Sequence, residues 1–99
     1  MQSNNECKIN NMMDKSELLD AIRKDIMGEL DAIIHYDRHI RSTDDKMAKA
    51  VWTDIRDEER VHVGELFTLL ATLSPDEAKY FAEGEKEVRE ILRDMRYDI

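Results

Sequence analysis

The sequence predicts an all-α fold. Its plan is an antiparallel two-helix hairpin followed by a short C-terminal helix, with two copies of the hairpin closing a four-helix bundle. Three observations carry this. Charged residues make up 38% of the 99 residues and hydrophobic ones 41%, with one proline and three glycines, a composition that suits long solvated helices. Apolar residues recur with a period near 3.6 along two long segments. The breaks between segments coincide with residues that cap helices.

Residues 1–13 read as a flexible leader, polar, Asn-rich and without periodicity. Asp14 followed by Glu17 forms a capping box that starts the first helix near Lys15. Its apolar positions are 18, 19, 22, 26, 30, 33, 36 and 40. "STDD" at 42–45 interrupts the pattern and offers caps for a second helix, whose stripe is 48, 51, 52, 55, 66, 69, 70 and 73. Residues 14–73 thus form the hairpin. "SPDE" at 74–77 is the strongest stop-and-start signal: Ser74 caps, Pro75 suits the first turn and Glu77 closes a second capping box. Residues 74–99 form a C-terminal helical segment that Gly84 divides from an amphipathic tail with Val88, Ile91, Leu92 and Met95. Two long helices cannot bury both stripes against each other, so the hairpin is expected to self-associate.

A net charge of −8 argues against nucleic acid as a partner but not against a metal cation. No apolar run approaches the roughly 20 residues of a membrane span, and the first residues do not read as a secretory signal. The single Cys7 has no partner for an internal disulfide, which fits a reducing cytoplasm.

The chemistry lies in "DEERVHVGEL", residues 57–66, where Glu59 precedes His62 by three positions. At about 100° per residue, Trp52 and Leu70 lie near 20° from Glu59, Leu66 near 340° and His62 near 300°. Both polar residues therefore sit within the apolar stripe. On the first helix Glu29 does the same, with Ile22 and Ile40 near 20° and Tyr36 near 340° from it. Taking Asp44 as the turn, Glu29 lies 15 residues before it and Glu59 15 after, so the two share a level. Tyr36 and Trp52 match in the same way. An ionised carboxylate in an apolar seam is costly unless it is paired or binds a metal. Two carboxylates and an imidazole suit iron(II), manganese(II) or zinc. Helix-bundle di-iron sites use one Glu from each of two helices and a Glu-x-x-His from each of the other two, and this chain supplies half that set. Both glutamates lie near mid-helix, so a two-fold axis crossing there would bring two half-sites together. The plain alternative is a polar layer that fixes register. His35 and His39, an i, i+4 pair on the flank of the first helix, could also bind a metal, but read more simply as surface histidines. Tyr36 is core with its hydroxyl toward a carboxylate, and "RDEER" is a solvated face.

"GELDAIIHYDRHI", followed thirty residues later by "DEERVHVGEL", resembles the encapsulated ferritins, the ferritin-like domains joined to or packaged by encapsulin shells. The resemblance covers about residues 15–92. It implies a ferritin-like four-helix bundle formed by homodimerisation, dimers assembling into a decameric ring, and an encapsulin shell as partner. The location implied is an encapsulin nanocompartment in the cytoplasm. It further implies a ferroxidase oxidising iron(II) at a di-iron centre for iron storage or detoxification. Glu29 and Glu59 would be the iron-binding carboxylates, with Glu59 bridging. His62 would be the nitrogen ligand, and Tyr36 a hydroxyl beside the centre. An additional acidic metal-uptake site found in some members falls here on Gly28, Asp31 and His35, which retains only Asp31. The chain ends "VREILRDMRYDI", without the small-residue Gly/Leu-type tail of separate cargo, which implies a domain of a longer fusion or another mode of loading. The rivals are a rubrerythrin-like peroxide reductase, for which the paired cysteines of a rubredoxin domain are missing from the sequence, a non-catalytic helical assembly module, and a site natively holding manganese or zinc.

Overall fold

The computed structural model describes residues 12–96. Among them three helices follow in order: α1 (Lys15–Arg41), α2 (Lys46–Leu73) and α3 (Pro75–Asp94). Cys7 and all but the last two residues of the expected leader lie outside the described residues, as do the last three residues of the chain.

Each helix begins where a side chain can satisfy its free N–H groups. Asp14 caps α1, and both halves of the capping box are present: the Glu17 N–H donates to Asp14 Oδ1 at 2.8 Å and the Asp14 N–H to Glu17 Oε1 at 3.3 Å. Ser42 ends α1, and Asp45 starts α2 by accepting the Ala48 N–H at 2.8 Å. The reversal between them takes only residues 42–45, so α1 and α2 lie antiparallel as close neighbours. Ser74 serves two helices at once. Its N–H donates to the Leu70 carbonyl to end α2, and its hydroxyl accepts the Glu77 N–H to start α3. The second expected capping box is therefore only half formed. The Ser74 N–H is already engaged, and the Glu77 carboxylate instead accepts from the Arg23 guanidinium on α1.

The buried core is small and sits toward the open end of the hairpin, away from the turn. Ile22, Ile26 and Leu70 form it, with Leu19, Leu66 and Leu73 packed around them. A compact chain of about 100 residues has a radius of gyration near 13 Å. Here it is 19.4 Å, and the molecule is only 15 Å in its thinnest dimension. That is little more than one layer of helices. Much of the stripe the sequence marks as core is consequently uncovered on one chain: Leu30, Val51 and Leu69 are all exposed.

One difference from expectation concerns α3. At 20 residues it is the shortest of the three helices, as expected, but it runs unbroken through Gly84 and is not divided there. A helical glycine costs about 1 kcal/mol relative to alanine, which weakens a helix without ending it. The helix also leaves the hairpin early. Phe81 meets Phe67 edge-on at 5.6 Å, but every residue from Lys79 to Ile91 is exposed.

Across the hairpin, Arg56 Nη1 donates to Asp37 Oδ1 at 2.8 Å and also holds its neighbour Asp57. Arg56 is thus drawn into the helix pair and is not part of a merely solvated face. Its hydrogen bond holds the Asp37 carboxyl below the usual range, with its positive charge adding to the effect.

Two outcomes follow. Gly84→Ala fills open space, since apart from the neighbouring backbone of the helix no atom lies within 4 Å of where the added Cβ would sit. It should raise stability to thermal unfolding by about 0.5–1 kcal/mol. Asp37→Asn should lower the melting temperature by a few degrees at neutral pH. A carboxyl with a lowered folded-state pKa stabilises above its unfolded pKa and loses that contribution as pH falls through the folded one. The gap between Asp37→Asn and the parent should accordingly close in melts taken well below the ordinary carboxylate range.

Candidate metal centre

Glu29 lies near the middle of α1, and Glu59 and His62 near the middle of α2. Antiparallel packing brings one ligand atom from each to within 4.8 Å of the others. The His62 Nδ1 stands 3.6 Å from Glu29 Oε2 and 3.7 Å from Glu59 Oε2. Those gaps are too long for hydrogen bonds. The Glu29 Oε2 atom is buried without any hydrogen-bond partner. The carboxylates are largely covered, with side chains 25% and 19% exposed for Glu29 and Glu59, while the His62 side chain is 47% exposed.

These distances bear on both readings left open by the sequence. A polar layer that fixes register needs its members hydrogen-bonded, and an unsatisfied carboxylate oxygen makes such a layer a net cost. A cation about 2.1 Å from each of two donors holds them about 3.0–4.2 Å apart for angles between 90° and 180°. Both imidazole–carboxylate gaps fall in that range. The donor set, mostly hard oxygen with one imidazole, suits iron(II), manganese(II) or zinc and does not choose among them.

The other residues singled out behave differently. Tyr36 is half-buried, and its ring meets His39 edge-on at 6.2 Å. Asp31 is exposed and is not among the converging ligands. Trp52, expected at the level of Tyr36, meets His39 at 4.9 Å with the ring planes inclined at 56°. His39 is therefore half-buried in the hairpin and not a surface histidine, whereas His35 is exposed. The helical angles, about 240° for His35 and 280° for His39 from Glu29, already set His39 nearer the apolar stripe, and the reach of the indole draws it in.

The fold and the site can now be set beside known proteins. A crystal structure of the encapsulated ferritin domain from Pyrococcus furiosus superposes with a TM-score of 0.78 at 35% sequence identity, covering 81% of this chain and 82% of that one. The chain belongs to the encapsulated ferritin family. Two curated relatives agree with this membership. The encapsulin nanocompartment cargo protein EncC of Myxococcus xanthus is 40% identical over 77 residues, 78% of this chain and 59% of its own length. The ferritin-like–encapsulin shell fusion protein of P. furiosus is 36% identical over 77 residues, again 78% of this chain but 22% of its own length. This encapsulated ferritin therefore spans about three-fifths of one relative and about a fifth of the other. No established protein-family profile matches it. Among the described residues no helix is long and apolar enough to cross a membrane.

Glu29→Gln removes one charge from a pair of carboxylates that lack a compensating cation in the metal-free chain. In chelator, the variant should melt no lower than the parent, and higher by up to about 1 kcal/mol. Added manganese(II) should then raise the melting temperature of the parent more than that of the variant.

Proposed function

We propose that the chain is a ferroxidase, oxidising iron(II) to iron(III) with dioxygen at a di-iron centre built by two copies of the hairpin. The observation that carries this reading is the convergence of Glu29, Glu59 and His62 around a buried, unpartnered carboxylate oxygen. Three donors are too few to enclose two metal ions, whereas two copies supply four carboxylates and two imidazoles, the full complement of a helix-bundle di-iron site. Glu59 of each copy would bridge, Glu29 would close the outer side and His62 would complete each metal. Exposed Leu30, Val51 and Leu69 supply the apolar surface for pairing. By the family resemblance, the dimers would assemble further into a decameric ring.

Bound iron supplies the redox chemistry, each iron(II) giving one electron to dioxygen. The protein contributes position and charge. Four carboxylates across the dimer offset the charge of two divalent ions, and the bundle holds the donors with little rearrangement. The names of the relatives, one a shell fusion and one a nanocompartment cargo, support an encapsulin shell as the partner and its interior as the location, with iron storage or detoxification as the purpose.

The decisive comparison is aerobic iron(II) oxidation by the parent and by His62→Ala at equal concentration, with assembly state checked on both. Loss of one imidazole per chain is felt twice in a dimer, so the variant should fall to the buffer rate. Equal rates from two proteins that both dimerise would overturn the assignment.

A further inference from the structure

The His35–His39 pair is a chemically distinct cluster that the carboxylate site does not use. The two residues lie one turn apart on α1, and their ring centroids are 4.7 Å apart with planes inclined at 53°. A metal about 2.1 Å from an imidazole nitrogen lies about 3.2 Å from the ring centre, so two imidazoles bound cis on one ion have centres about 4.5–5.2 Å apart. The observed spacing falls within that interval. Two histidines at i, i+4 on one helical face are also the spacing by which a helix presents imidazoles to a single cation.

One arm of this pair is already held. His39 is half-buried and meets Trp52 at 4.9 Å with the ring planes inclined at 56°, with Tyr36 edge-on at 6.2 Å. His35 is exposed, and its ring already stands at the chelate spacing from His39. Ordering one side chain instead of two reduces the entropy lost on binding. The pair is also separate from the carboxylate cluster. His35 and His39 follow Glu29 by six and ten residues, which is about 9 and 15 Å along the helix axis, and they lie about 240° and 280° around it. No single ion can serve both groups.

We propose that His35 and His39 form a second cation site, a two-imidazole chelate for a borderline divalent metal such as zinc, nickel or copper. Its selectivity differs from that of the Glu29–Glu59–His62 cluster. With nitrogen donors only, it follows the order in which nickel and copper exceed iron(II), whereas the carboxylate cluster accepts harder ions. Water completes the coordination, so the site is open and exchanges its ion readily.

The chain carries its own probe, because Trp52 is its only tryptophan and its ring lies against one of the two ligands. Nickel(II) is titrated into the full, tag-free protein while Trp52 fluorescence is followed, for the parent, His35→Ala and His62→Ala. His35 is exposed, so its replacement leaves the packing of His39 on Trp52 in place. The parent should show saturable quenching near one nickel per chain. His35→Ala should need about tenfold more nickel or more for the same quenching. His62→Ala should titrate like the parent, which keeps this outcome independent of iron oxidation. Quenching of His35→Ala that matches the parent, or quenching abolished only by His62→Ala, would overturn the proposal. So would a parent that is not quenched even at millimolar nickel.

Discussion

The register between α1 and α2 is the constraint on which the donor set depends. Glu29 comes from one helix and Glu59 with His62 from the other, so a slip of one helix past its neighbour by a single turn, about 5.4 Å, would part the donors entirely. Nothing in the cluster can hold that register by itself, since its gaps of 3.6 and 3.7 Å make no hydrogen bonds. It is held from both sides. Toward the turn, Ser42 and Asp45 fix where one helix ends and the next begins, and Arg56 ties Asp37 across the pair. Toward the open end, Ile22, Ile26 and Leu70 interlock, and Ser74 anchors the start of α3 while Glu77 reaches back to Arg23. The carboxylates lie between these two fastenings. That arrangement lets a site with an unsatisfied charge persist in a structure with little core to spare.

The parts of this design that obey helical periodicity were legible in the sequence. Caps at Asp14, Asp45 and Ser74 and the two apolar stripes are local signals, and the angular position of Glu29 and Glu59 within the stripes is arithmetic on those signals. Matched distance from Asp44 then brought both glutamates to one level, because a tight reversal leaves little freedom in the pairing of two straight helices.

What the sequence concealed depends on side-chain reach or on competition for one group. Trp52 matches Tyr36 in distance from the turn, and its large indole also leans across to meet His39, a ring that backbone angles alone assign to the flank. Asp37 and Arg56 are seven residues before and twelve after Asp44, unequal heights that only a long arginine can bridge. The Ser74–Glu77 box was half wrong because a pattern cannot show that the Ser74 N–H is already engaged by Leu70. Gly84 looked like a break because glycine is a poor helix former, yet the residues around it are strong formers, and α3 continues.

Incompleteness itself has a mechanical consequence. One hairpin leaves His62 nearly half exposed and much of its apolar stripe uncovered. If one pairing event closes both, metal occupancy and assembly become linked: an ion that binds only the paired form stabilises pairing in proportion to its concentration over its dissociation constant. The same linkage runs in reverse, and a chain that has paired holds its ions more tightly than one that has not. The orphaned Glu29 oxygen belongs to this economy. Left alone it opposes folding; under the proposed pairing, a second hairpin and a cation would turn the same oxygen into a reason for two copies to stay together.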